Sequence, residues 1–313
     1  GYDRTAVMDV KGIKVGLIGI YELKDGLGRQ QQVIDTIREA IPFIITGSAI
    51  QLFQIVDQMT FINVMSWFTD YSQKQLLVMF SYFSANPNKI TMILIAVATS
   101  IGGVGIPLLT ENYVKGDLKA AGKLVQDTLT MLLAFLLPAT LGAVAVAKPL
   151  YTVFYGQPDG LALGLFIVAM LQTVILGLYT VLSPMIQALF QNRKAIRYFL
   201  YGVVVKLVLQ IPFILVFRSY GPLLSTTIAL MVPIVLMYRE IQTITQFNRT
   251  IVFKRTLLGS ILTVVMLLGV LIAGLILGWI FPPNGRVSSM IYIVVIGGLG
   301  VAIYGALGLW LRY

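Results

Sequence analysis

Cysteine and histidine are both absent from the 313 residues. The first absence excludes disulfides and thiolate chemistry. The second removes the commonest metal ligand and the usual neutral-pH proton shuttle. Charge is scarce too: 12% of residues are Asp, Glu, Lys or Arg, where a soluble domain carries about 25%. Without histidine no Ser-His-Asp relay can form, and the acids lie mostly in loops, so no catalytic constellation, metal site or cofactor is expected. No basic run is interleaved with stacking aromatics, so the net charge of +10 does not point to nucleic acid as a partner. No secretory signal is visible either. The chain opens "GYDRTAVMDVKG" and stays polar to about Arg38, and the apolar patch Val15–Tyr21 is too short to span a bilayer. This opening reads as a loop or the inside of a larger protein.

What is present is apolar. Hydrophobic residues make up 58% of the chain and gather in runs of about twenty, the length of a membrane helix. The expected fold is an all-α polytopic membrane protein. Eight candidate spans can be read: Ile41–Phe68, Leu76–Leu109, Leu124–Ala147, Leu161–Phe190, Ile196–Phe217, Leu223–Tyr238, Leu257–Phe281 and Val287–Leu311. The second is long for one crossing and is interrupted by "SANPNK". Either Leu76–Phe83 is a re-entrant turn or one tilted helix is kinked there. With alternate loops on alternate sides, seventeen of the 23 basic residues share one side and five (Lys74, Lys89, Lys148, Arg218 and Arg286) the other. Lys206 remains, inside a span. Basic residues collect on the cytoplasmic side, which places both chain ends there.

Polarity divides the chain further. The last two spans hold little that is polar beyond Ser and Thr, whereas the first six carry polar groups in their interiors. Expected units are residues 1–35, a cytoplasmic linker or segment of unassigned structure; 36–250, a six-span lobe with a polar interior; and 251–313, a two-span apolar appendix. In "ITGSAIQLFQIVDQMTFINVMSW", Gly47, Gln51, Gln54 and Gln58 share one helical face, with Asp57 at its edge. An ionised carboxylate facing lipid costs at least about 2.5 kcal/mol, so this face should look into protein or water. Lys206 sits nine residues beyond Arg197, roughly 13 Å past the basic end of its span at ~1.5 Å per residue. That exceeds snorkelling reach, so it should face an aqueous cavity or a carboxylate, and Asp57 is the obvious deep countercharge. Gln210 lies one turn from it. Prolines 42, 107, 138, 184, 212 and 233 recur inside spans, as in helices that bend during transport. The run "SIGGVGIPLLTE" lacks the GK[ST] of a phosphate loop and reads as close helix packing.

Three stretches carry a resemblance: "LIAVATSIGGVGIPLLTENYVKGDLKAAGKLV", "LPATLGAVAVAKPLYTVFYG" and "PFIITGSAIQLFQIVDQMTF". Together they resemble the C-terminal part of polysaccharide-exporter flippases of the multidrug/oligosaccharidyl-lipid/polysaccharide superfamily. The likeness is strongest to MurJ-type lipid II flippases of Gram-positive bacteria, over most of residues 36–313. It implies a second six-helix lobe with two extra C-terminal helices, in the bacterial cytoplasmic membrane, and a first six-helix lobe as partner before residue 1. The implied activity is transport without enzymatic chemistry: translocation of a lipid-linked cell-wall precursor, foremost lipid II, by alternating access. A flippase for another lipid-linked polysaccharide, a multidrug or cation antiporter and, more distantly, a membrane glycan polymerase or ligase are the alternatives. On this reading Gln51, Gln54, Gln58 and Gln210 are cavity candidates, Lys89 and Lys206 are pyrophosphate contacts, and Asp57 couples an ion or balances Lys206. The sequence departs from the family at "FSANPNKI", where an Asp-Arg pair is usual and Lys89 is the nearest cation.

Overall fold

The computed structural model of the chain describes residues 8–10, 13–15 and 26–311. Within the N-terminal segment, β1 (Met8–Val10) and β2 (Ile13–Val15) form an antiparallel pair with Met8 opposite Val15, a six-residue exception to the all-α expectation. Beyond Val15, the patch Val15–Tyr21 lies outside the described residues.

Eleven α-helices follow among the described residues: α1 (Gly26–Gly47), α2 (Ala49–Phe68), α3 (Gln73–Phe83), α4 (Ala85–Val114), α5 (Leu118–Ala145), α6 (Ala147–Tyr155), α7 (Gly160–Ala188), α8 (Asn192–Phe217), α9 (Gly221–Thr245), α10 (Arg249–Ile280) and α11 (Arg286–Trp310). Short polar residues start several of them by accepting bonds from amides that the helix itself cannot satisfy. Asp117 accepts from Ala120 N, Asp159 from Ala162 N, and Asn248 from the amides of Thr250 and Ile251. At α3 the sequence Ser72-Gln-Lys-Gln75 forms a reciprocal capping box.

Six helical runs are long and apolar enough to cross a membrane, or seven when Ala40–Gly47 and Ala49–Phe68, bent by 46° at Ser48, are taken as one. One of these runs, Asn192–Thr245, contains two crossings. Lys206 Nζ lies 3.1 Å from Pro222 O and 2.6 Å from Thr226 Oγ1, whereas 16 to 20 residues of straight helix would separate them by roughly 24 to 30 Å. The chain therefore reverses through the 3-10 turn Arg218–Tyr220, and eight crossings result. Two glycines permit this hairpin. A Cβ on Gly221 would lie 2.5 Å from Phe213 O, and one on Gly202 would lie 2.8 Å from Ala229 O. Ala229 is four residues before Pro233, which has no amide hydrogen to offer its carbonyl; the α8 backbone closes over that carbonyl instead.

The long second run breaks at Ser84, between α3 and α4. Pro87, three residues on, cannot donate to the carbonyl of Phe83, which favours a break there. The six interior prolines all lie inside helices. Helix α7 is apolar nearly all round and accordingly central, packed by α4, α5 and α9. Helices α10 and α11 pack together and against α5 and α6. Their outer faces expose Leu275, Trp279, Val294 and Val301, as lipid-facing helices do.

Candidate functional site

The polar residues of the interior collect in two neighbouring places. The first is a sealed ion pair. Asp57 from α2 meets Lys206 from α8 at 2.6 Å, with Lys206 fully buried and the Asp57 side chain 11% exposed. Three oxygens from the start of α9 complete the surroundings of the ammonium: Thr226 Oγ1 at 2.6 Å, Ser225 Oγ at 2.9 Å and Pro222 O at 3.1 Å. An ammonium has three hydrogens, so four acceptors more than saturate it. Gln210 Nε2 donates to Asp57 Oδ1 and to Thr60 Oγ1, both at 2.8 Å, while Gln210 Oε1 accepts from Ser225 Oγ at 2.7 Å. The Phe53 ring lies 6.0 Å from Nζ and closes the apolar side. Removing one partner of such a pair strands the other charge, at a cost of about 3–5 kcal/mol.

The second place is a cavity of about 130 Å³ with a mixed lining, its apolar part from Ile50, Phe83, Met92, Ile95 and Leu176. Gln51 and Gln54 of α2 line it, opposite Ser84, Asn88 and Thr91 around the helix break and Gln172 of α7. Gln172 is held by donating to Leu223 O at 2.7 Å and Thr227 Oγ1 at 3.0 Å, and Thr91 meets Thr173 at 3.2 Å. At about 30 Å³ per water the cavity admits about four waters, and small-molecule sites usually need about 300 Å³ or more. In this conformation it admits one arm of a ligand and not a whole glycan.

The seven sequence candidates thus separate. Asp57, Lys206 and Gln210 share the ion pair. Gln51 and Gln54 line the cavity. Gln58 is exposed outside it, and the stripe does not extend back to Gly47, because the bend at Ser48 turns that residue away. Lys89 is exposed, next in sequence to cavity-lining Asn88, with its Nζ 5.3 Å from the centroid of the Tyr155 ring. Sequence reasoning missed Thr60, Asn88, Thr91, Gln172, Ser225 and Thr226. Gln172 carried a signal, a lone amide in "AMLQTVILG"; the hydroxyls carried none, since Ser and Thr are common in membrane helices.

A third feature is apolar. A groove of about 650 Å³ runs between α5, α10 and α11, lined by Phe135, Pro138, Met266, Val270, Ile296 and Gly300 among others. Tyr304 reaches its edge, but its hydroxyl is spent on Ala134 O at 3.0 Å.

No protein-family model matches the chain. Over 271 residues it is 27% identical to the lipid II flippase MurJ of Bacillus subtilis (strain 168), covering 85% of this chain and 49% of that protein. A solved structure of lipid II flippase MurJ, in an inward closed conformation, superposes with a TM-score of 0.64 at 16% identity, over 87% of this chain and 54% of that one. The fold is that of a MurJ-type flippase. The chain spans about half the length of the MurJ proteins it matches. The likeness is one of fold, that of a multi-pass α-helical membrane protein.

Proposed function

We propose that this chain forms the second half of a flippase that carries a lipid-linked cell-wall precursor, lipid II, across the bacterial cytoplasmic membrane by alternating access. A six-helix first lobe would face it across the central cavity. The observation that carries this reading is the pairing of an amide-lined cavity with a large apolar groove in a chain of MurJ-type fold. A lipid-linked glycan has both kinds of surface. Its hydroxyls and amides would meet Gln51, Gln54, Asn88 and Gln172, and its isoprenoid tail would lie in the α5–α10–α11 groove, where chain and lipid meet without loss of apolar contact. Lys89, exposed beside the cavity, is the cation available to a pyrophosphate; Lys206 would first have to give up Asp57. Asp57 therefore balances Lys206.

A cation antiporter needs an unspent acidic side chain inside. Among the described residues Asp57 is the only buried acid, and it is paired, so the flippase reading is preferred. The distribution of basic residues supports cytoplasmic chain ends.

Complementation tests the proposal. A bacterium depleted of its own lipid II flippase receives the full-length parent gene or its Gln51→Ala/Gln54→Ala/Gln172→Ala variant, with membrane abundance measured. The parent should restore growth and the triple variant should not. Failure of an abundant parent protein would remove lipid II as the cargo.

A further inference from the structure

The short helix α6 touches both the cavity's rim and the apolar groove. On one side Val146 and Leu150 line the groove. Leu150 packs against two separate apolar clusters, one built on Met266, Val270 and Ile296 of the groove, the other on Ile90, Tyr151 and Phe166. Just past α6, Gln157 Nε2 donates to Asn284 O at 3.0 Å, tying this segment to the α10–α11 connection. On the other side α6 grips the first turn of α4. Asn86 Nδ2 donates to Tyr151 Oη at 2.8 Å, and Tyr155 Oη donates to Asn86 O at 2.8 Å. Asn86 sits between Ser84, Pro87 and Asn88, which line the cavity. Neighbouring residues of one helical turn, Leu150 and Tyr151, thus contact the groove and hold the rim.

We infer that α6 is a coupling strut: a chain filling the groove displaces Leu150, and Tyr151 and Tyr155 pass that displacement through Asn86 to the cavity rim at Ser84 and Asn88. Tyr151, Tyr155 and Asn86 are positioning residues, and the inference rests on the reading of the groove as the tail site. Rigid elements joined by satisfied hydrogen bonds transmit small shifts because packed interiors do not deform continuously. The break at Ser84, where Pro87 has no amide hydrogen for Phe83 O, gives the rim freedom to respond.

The 313 residues contain no cysteine, so Ser84→Cys is the sole thiol of this half, and the test uses the full-length protein with any cysteine outside it replaced by serine. The protein is reconstituted in nanodiscs, and the rate of methanethiosulfonate labelling is measured with and without undecaprenol, which has the tail but neither pyrophosphate nor glycan. A photoreactive undecaprenol separately reports whether the groove is occupied, by crosslinking to peptides of α5, α10 or α11. With the strut intact, undecaprenol should change the labelling rate by about five-fold or more, the lower range of measured site-to-site couplings. In a Tyr151→Phe/Tyr155→Phe background, where both rings remain and only the hydroxyls go, crosslinking should persist and the rate change should vanish. Crosslinking without a rate change in the parent, or an undiminished change in the double variant, overturns the coupling alone. Absence of crosslinking to the groove overturns the tail reading and the coupling with it.

Discussion

Replacing Lys206 by Met removes the ammonium and keeps the length and apolar stem of the side chain. It leaves Asp57, its side chain 11% exposed, answered only by the neutral donors Gln210 Nε2 and the Thr226 hydroxyl, which should cost about 3–5 kcal/mol. Asp57→Asn is the mirror case: Lys206 keeps Ser225, Thr226 and Pro222 O as neutral acceptors but loses its counterion while fully buried. At about 2–4 °C per kcal/mol for chains of 150–250 residues, each single variant should melt roughly 6–20 °C lower in detergent. The double variant Asp57→Asn/Lys206→Met has no stranded charge, and Asn at 57 keeps an acceptor for Gln210. Replacing a buried pair as a whole is often neutral, so the double variant should melt above both singles. Thermal melts followed by size-exclusion fluorescence give all four corners of the cycle. A double variant that melts as low as the sum of the singles would refute the account of a balanced, self-contained pair. Lipid II transport by the stable double variant should persist. A stable but inactive one would show that the charges are used in transport and do not merely balance each other.

Two further outcomes are expected. Gly297 lines the apolar groove, and a Cβ there meets nothing within 4 Å, so Gly297→Trp should fill the groove without straining the fold. Transport should fall by at least about ten-fold, the equivalent of ~1.4 kcal/mol of lost tail contact, while the melting temperature stays within a few degrees. Lys115 and Lys89 are both exposed but lie at opposite ends of α4. In intact cells a membrane-impermeant maleimide should label Lys89→Cys and spare Lys115→Cys, and the reverse pattern would invert the proposed orientation.

Much of the architecture is legible because a membrane helix is specified by its own residues. The backbone must satisfy its hydrogen bonds internally, so apolar length alone locates a crossing, and the eight spans follow from it. The Arg218–Tyr220 reversal is legible too, since Arg218 and Gly221 interrupt an otherwise apolar stretch. Less visible is where a polar side chain points. Gln51, Gln54 and Gln58 share a face of α2, yet only the first two reach the cavity, because the bend at Ser48 and the break at Ser84 decide which part of that face is covered. A bend angle depends on the tertiary packing of both pieces, and no residue type encodes it.

The ion pair shows the same limit from the other direction. A lysine and an aspartate deep in separate spans are legible as partners, since neither charge can stay alone in a low-dielectric interior. Their role depends on the remaining acceptors. Had Ser225 and Thr226 been valines, Asp57 and Pro222 O would have taken two of the ammonium's three hydrogens and left one unspent, with a reason to face a phosphate. The hydroxyls reach it only because Gly202 and Gly221 let α9 fold back closely over α8. Two glycines in the hairpin thus turn a potential anion site into a closed electrostatic unit, and on the proposed function the neighbouring amides of Gln51, Gln54 and Gln172, with exposed Lys89, are the groups that would meet a moving headgroup.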